Sequence, residues 1–244
     1  MGAADAWFRR AVQRRRRVNP APDMPIRDAA TVLVLRRDDK GPSVLMGMRG
    51  AAAAFMPSKF VFPGGAVDPG DAQVALARPL DPVCRHRLQL EAGLSPEAIA
   101  AAALRELAEE TGLLIGQPGS APCPWPGHAA AGLVPDAAPL VYLFRAITPP
   151  GRPRRFDAHF FVTDATAIAG DPDDFSAACD ELSHLHWVPL AQVRQLDLPF
   201  ITEVVLAELA ELIDGLPADR PLPRPDTVPF FDNRGPAPVF RQIA

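Results

Sequence analysis

Glu106, Glu109 and Glu110 stand at i, i+3 and i+4. On a helix of 3.6 residues per turn this spacing gathers three carboxylates on one face, within an arc of about 100°. Carboxylates so close repel one another, and at least one should hold its proton unusually tightly unless a cation sits among them. Hard oxygen donors with open coordination positions suit Mg2+ or Mn2+, ions that keep water ligands and bind substrate phosphates. The same spacing also fits an acidic face in water, so the flanking sequence has to decide.

Such a face needs a helix with fixed ends. Ser95 is a good N-cap, Pro96 suits the first helical position, Glu97 suits the positive helix end, and Gly112 closes the run. Alanine, leucine and glutamate of high helix propensity fill the interior. Upstream, Phe62-Pro63-Gly64-Gly65 predicts a tight turn in which glycine supplies positive φ and leaves bare backbone for a ligand. A carbonyl in that turn could add an oxygen ligand.

The rest of the chain reads as a mixture of strands and helices. Residues 30–35 are continuously apolar, as in a strand buried on both faces, and 44–49 form its return strand after a turn at 38–42. Residues 66–94 are polar and punctuated by proline, and 116–138 read as a loop. Strands are expected at 140–147, 156–163 and 185–188, an amphipathic helix at 199–215, and a proline-rich tail from 216. The pattern predicts an α+β or layered α/β/α domain. Residues 1–27 form a basic, proline-rich segment with Arg14-Arg15-Arg16-Arg17, read as a solvated tail in preference to a polyphosphate or nucleic-acid contact.

Bulk composition narrows the function classes. With 48% hydrophobic residues and a net charge of -4, the chain can build a sizeable core and lacks the charge of a nucleic-acid or membrane footprint. Cys84, Cys123 and Cys179 are odd in number and unpaired in spacing, which suits free thiols in a reducing compartment. No apolar run reaches bilayer length, and the basic N-terminus lacks a following apolar stretch, so a cytoplasmic protein is expected.

Gly65, Asp71 and Arg105-Glu106-Leu107-Ala108-Glu109-Glu110-Thr111-Gly112-Leu113 together resemble the signature of the Nudix family. That signature reads G, five residues, E, seven residues, R-E-U-x-E-E-x-G-U, with U aliphatic. The chain departs in carrying Asp71 for the first glutamate and in a spacer that runs over residues 72–104. A spacer enlarged here is similar to a subgroup that includes a peroxisomal coenzyme A diphosphatase. Phe55-Met56-Pro57, Arg155-Phe156-Asp157 and Leu196-Asp197-Leu198-Pro199-Phe200-Ile201-Thr202 add to that likeness.

The resemblance implies an α/β/α sandwich with a mixed sheet over residues 28–215, an insertion at 72–94 and a proline-rich C-terminal extension at 216–244. It implies metal ligation by Glu106, Glu109, Glu110 and the Gly64 carbonyl, with Arg105 orienting the glutamates and Asp68 able to share the role of Asp71. Arg49, Phe62 and Gly65 would contact substrate. The implied reaction is attack of water on a diphosphate linking a nucleoside to another group, with coenzyme A or acyl-coenzyme A ranked first. Nucleotide sugars, dinucleotides or ADP-ribose follow, and a non-catalytic nucleotide sensor is the other class. The subgroup's upstream pattern is matched at Arg49 but carries Ala54 and Ser58 where Arg and Gly belong. Glu181 and Asp180 are candidate general bases outside the helix, and a homodimer is expected. His184 and His186 read as a strand-face pair, and His159, among Phe156, Phe160 and Phe161, reads as structural.

Overall fold

A computed structural model describes residues 24–244 apart from 52, 54, 91 and 236, so the arginine run at 14–17 lies outside the described residues. The centre of the fold is β1 (Ile26–Asp38), whose continuous apolar run is buried on both faces as its sequence predicts. Ala30, Val32 and Val34 face one core, while Leu33 and Leu35 face a second.

β1 pairs antiparallel with β2 (Gly41–Arg49) and β4 (Gly64–Ala66), and parallel with β8 (Arg155–Asp164). β2 carries β3 (Phe60–Val61) and β9 (Leu182–Pro189). Beyond β8 follow β7 (Val141–Ile147), β10 (Val228–Asp232) and β11 (Val239–Ile243), giving a nine-stranded mixed sheet. α1 (Pro82–Gln89) and α2 (Pro96–Thr111) supply Cys84, Leu88, Ile99, Leu104 and Leu107 to the first core. α4 (Phe200–Leu212) closes the opposite face with Val205, Leu206 and Leu209. The expected α/β/α sandwich about a mixed sheet is what forms.

α2 has the predicted limits. Ser95 Oγ accepts from the Ala98 amide at 3.2 Å, and Gly112 adopts φ 77° with its amide on the Ala108 carbonyl. Only a residue tolerant of the left-handed region ends a helix this way without strain.

Residues 116–138, expected to be a loop, instead contain β5 (Gly116–Pro118), α3 (Pro126–Ala131) and β6 (Leu133–Pro135). Elements of three to six residues are too short to show a period in sequence. The proline-rich segment after 216 supplies β10 and β11 to the sheet. Pro229 is the second residue of β10, opposite Gln242 of β11 and just outside the short β10–β7 ladder of Phe230 and Phe231. α1 is stitched to this segment. Arg87 donates to the carbonyls of Pro225 and Asp226, and Arg224 donates to Asp81, which also caps α1.

Candidate active site

The glutamate face of α2 packs against β4, and β4 explains why two glycines precede it. Neither Gly64 nor Gly65 has positive φ, contrary to the expectation from their turn-like sequence. They lie in an extended strand, and what they supply is the absence of a side chain. A Cβ at Gly64 would sit 2.5 Å from the Ala30 carbonyl oxygen and 2.7 Å from Thr31 Cα; one at Gly65 would land inside the Glu106 carboxyl group.

Arg105 organises the cluster. Its Nη1 donates to Glu106 Oε1 at 2.8 Å and to Glu109 Oε2 at 3.1 Å. Its Nε and Nη2 reach Asp71 Oδ1 and Oδ2 at 2.9 and 3.1 Å, and Nη2 also donates to the Ala66 carbonyl at 2.9 Å. Burial works against the charge on Arg105, but hydrogen bonds to Asp71 and Glu106 more than offset it and raise its pKa. Aspartate reaches Arg105 because a 3-10 turn at Asp71–Gln73 brings its backbone close, with Asp71 Oδ2 accepting from the Asp68 amide at 2.8 Å. Asp71 is only 2% exposed. Asp68 stays at 3.9 Å from Arg105 and is largely exposed, so Asp71 holds the bracing position. The Ala66 carbonyl escaped the sequence reading because a backbone acceptor leaves no side-chain signature.

Glu110 is the most buried of the three glutamates, at 1% exposure. Its Oε2 accepts from the Gly64 amide at 2.7 Å, while Oε1 is buried without a hydrogen-bond partner. Burial pushes the Glu110 carboxyl up to about 8, with Glu106 and Glu181 adding repulsion against the pull of Gly64 and Arg49. Burial also raises Glu106, opposed by Arg105 and helped by Glu109 and Glu181. An orphaned buried oxygen, an all-carboxylate donor set and a glycine that leaves Glu106 its space fit a divalent cation with oxygen ligands.

The raised Glu110 value has a measurable consequence. Between the ordinary carboxylate range and about pH 8, the folded metal-free protein keeps a proton at Glu110 that the unfolded chain has released. The folded state then binds more protons, so this group's share of stability falls as pH rises through that window. In chelator, Glu110→Gln should remove that part of the decline in melting temperature between about pH 5 and 8. Identical slopes in both proteins would refute the assignment.

Arg49, at the end of β2, places Nη2 3.2 Å from Glu181 Oε1 and 3.7 Å from Glu110 Oε1. Glu181 comes near because the Cys179 amide donates to the Glu109 carbonyl at 3.0 Å, docking the segment before β9 on the end of α2. Both Glu181 and Asp180 are exposed. The Phe62 side chain is 4% exposed and packs in the α4-side core with Leu33 and Met46. His184 and His186 do not make a simple strand-face pair, because His184 has φ 54° where the β2–β9 register shifts.

No family model matches the chain. Over 177 residues it is 28% identical to "Putative nudix hydrolase 7" of Caenorhabditis elegans, across 66% of this chain and 51% of that protein. The chain thus spans about half the length of that curated relative. The crystal structure of a NUDIX hydrolase from Alicyclobacillus acidocaldarius matches with a TM-score of 0.58 and 30% identity, over 75% of this chain and 90% of the other. Identity at that level across nine-tenths of a solved relative, on a shared fold, makes the chain a member of the Nudix hydrolase family.

Proposed function

We propose that the chain hydrolyses a diphosphate that links a nucleoside to another group, with Mg2+ or Mn2+ held by Glu106, Glu109, Glu110 and the Gly64 carbonyl. The observation that carries this reading is the buried, unpartnered Oε1 of Glu110 beside Glu106 and Arg49. When bound, the divalent ion supplies charge neutralisation on the phosphates and an acidified water. Arg105, anchored on Asp71, fixes the Glu106 and Glu109 carboxylates, so little reorganisation is left for the reaction itself. Arg49 offers a guanidinium for a phosphate oxygen, a match of planar donor to tetrahedral anion that lysine would make less well.

Glu181 is the favoured residue to take a proton from the attacking water. Its support is position: it is exposed to solvent and tethered by Arg49 at the rim of the carboxylate face. Glu181→Gln should lower kcat by about 10²–10⁴-fold while melting close to the parent. An unchanged kcat would remove Glu181 from that role.

Coenzyme A or an acyl-coenzyme A is the first-ranked substrate, with nucleotide sugars, dinucleotides or ADP-ribose as the alternative. The deciding experiment is a panel of diphosphate-linked nucleotides incubated with Mg2+ or Mn2+, with products read by mass spectrometry. Cleavage of coenzyme A to a phosphopantetheine and an adenosine bisphosphate supports the first ranking; no cleavage of any panel member sinks the enzymatic reading. We also infer a cytoplasmic homodimer. Exposed Val83, Leu90 and Leu94 on the insertion supply apolar surface for the dimer, and sedimentation velocity reads it directly.

A further inference from the structure

The parallel pairing of β1 with β8 sets Asp28 beside Asp157 and Ala30 beside His159. Across β1, Ala30 also pairs with Gly65, so His159 and the glycine that accommodates Glu106 flank the same residue. We propose that Asp28, Asp157 and His159 form a second cation site, separate from the glutamate helix and suited to a divalent transition ion of the zinc class.

Each of the three residues offers one ligand atom, and these atoms lie within 4.8 Å of one another. His159 Nε2 is 3.7 Å from Asp28 Oδ1 and 3.8 Å from Asp157 Oδ1. Those gaps are too long for hydrogen bonds. They are close to the spacing of ligand atoms that each sit about 2.0–2.2 Å from a shared ion. The imidazole is fully buried, and Nε2, aimed at the two carboxylates, has no hydrogen-bond partner. Its other nitrogen, Nδ1, lies 3.0 Å from Tyr142 Oη. With the Nδ1 proton donated to that hydroxyl, the lone pair of Nε2 points between the carboxylates. A ligating histidine is held by a partner on its second nitrogen in the same way.

Charge points the same way. Arg145 Nε and Nη2 grip Asp157 Oδ1 and Oδ2 at 2.8 and 2.7 Å, which orients that carboxylate and leaves Oδ1 a lone pair. Arg145 answers Asp157, while Asp28 adds a second carboxylate in a largely dry place, where a charge without a close counter-charge is expensive. A cation between Asp28, Asp157 and His159 offsets it. The Asp28 side chain keeps 22% exposure, which gives an entry path and room for a water ligand. A nitrogen donor in the set favours zinc-class ions over Mg2+, so the two sites would sort different metals.

The test is bound zinc, counted by mass spectrometry after dialysis of the full chain in micromolar Zn2+ with millimolar Mg2+ to occupy the glutamate helix. We expect one zinc per chain, retained in Glu110→Gln and His186→Gln, with affinity at least about tenfold weaker in Asp28→Asn and His159→Gln. Loss with Glu110→Gln would put the zinc on the glutamate helix, and loss with His186→Gln would put it on the exposed histidines; either overturns the proposal. So does wild-type protein without zinc, in which case a proton or water serves His159. If His159→Gln does not fold, Asp28→Asn at the rim decides alone: unchanged zinc affinity there refutes the site.

Discussion

Glu110→Gln should cut turnover of any diphosphate the chain accepts by at least about a hundredfold, equal to some 2.7 kcal/mol of lost transition-state stabilisation. Glutamine keeps the shape and can still accept the Gly64 amide through its carbonyl oxygen, so the fold should survive. What goes is a full negative charge at the most buried position of the cluster, on the residue whose Oε1 has no hydrogen-bond partner. Removing a carboxylate that burial already disfavours should leave the metal-free protein at least as stable near neutral pH. Activity and stability would then move in opposite directions, which general damage does not produce. The measurement is kcat/KM beside a melting curve in chelator. Full activity in Glu110→Gln would remove the cluster from the reaction.

The two glycines of β4 should separate in a different way. A Cβ at Gly64 meets backbone, the Ala30 carbonyl and Thr31 Cα, which cannot yield without breaking the β1–β4 pairing. Gly64→Ala should therefore cost about 1–3 kcal/mol of stability or more, as overpacking does. The atoms nearest to a Cβ at Gly65 are those at the end of the Glu106 side chain. That carboxyl can swing aside cheaply, but it then leaves the place where Arg105 holds it. Gly65→Ala should melt within a few degrees of the parent and yet lose about a hundredfold in kcat, since a displacement near 1 Å suffices for that loss. Equal damage by both substitutions, to stability and turnover alike, would refute the distinction.

The contrast between these glycines also marks where sequence stops being legible. Capping chemistry is local, so Ser95, Pro96 and Gly112 fixed the limits of α2, and the helical period fixed its carboxylate face. The apolar run of β1 announced a central strand for the same reason. Gly64 and Gly65 were legible as necessary but not as to why, because a close approach between β4 and α2 depends on a contact some 40 residues away in the chain. The reach of Asp71 depended likewise on a 3-10 turn too short to carry a period. His159 read as a core residue among phenylalanines, and it is one. Its carboxylate neighbour Asp28 comes from the opposite end of the domain through parallel pairing, which nothing in either segment specifies alone.

The late arrival of β10 bears on how the chain is made. It docks beside β7 and lays Phe230 over the Arg145 guanidinium at 4.3 Å. At ribosomal speeds of about 5–20 residues per second, β7 waits several seconds after its own synthesis before that partner emerges. During the wait its outer edge is an unpaired row of amides and carbonyls, and the ion pair of Arg145 with Asp157 lies open to water. Slowing translation between residues 150 and 228 should therefore lengthen the window for aggregation, whereas α2 and its glutamates, complete much earlier, should be unaffected. The nascent protein would have its glutamate helix before it has a closed sheet.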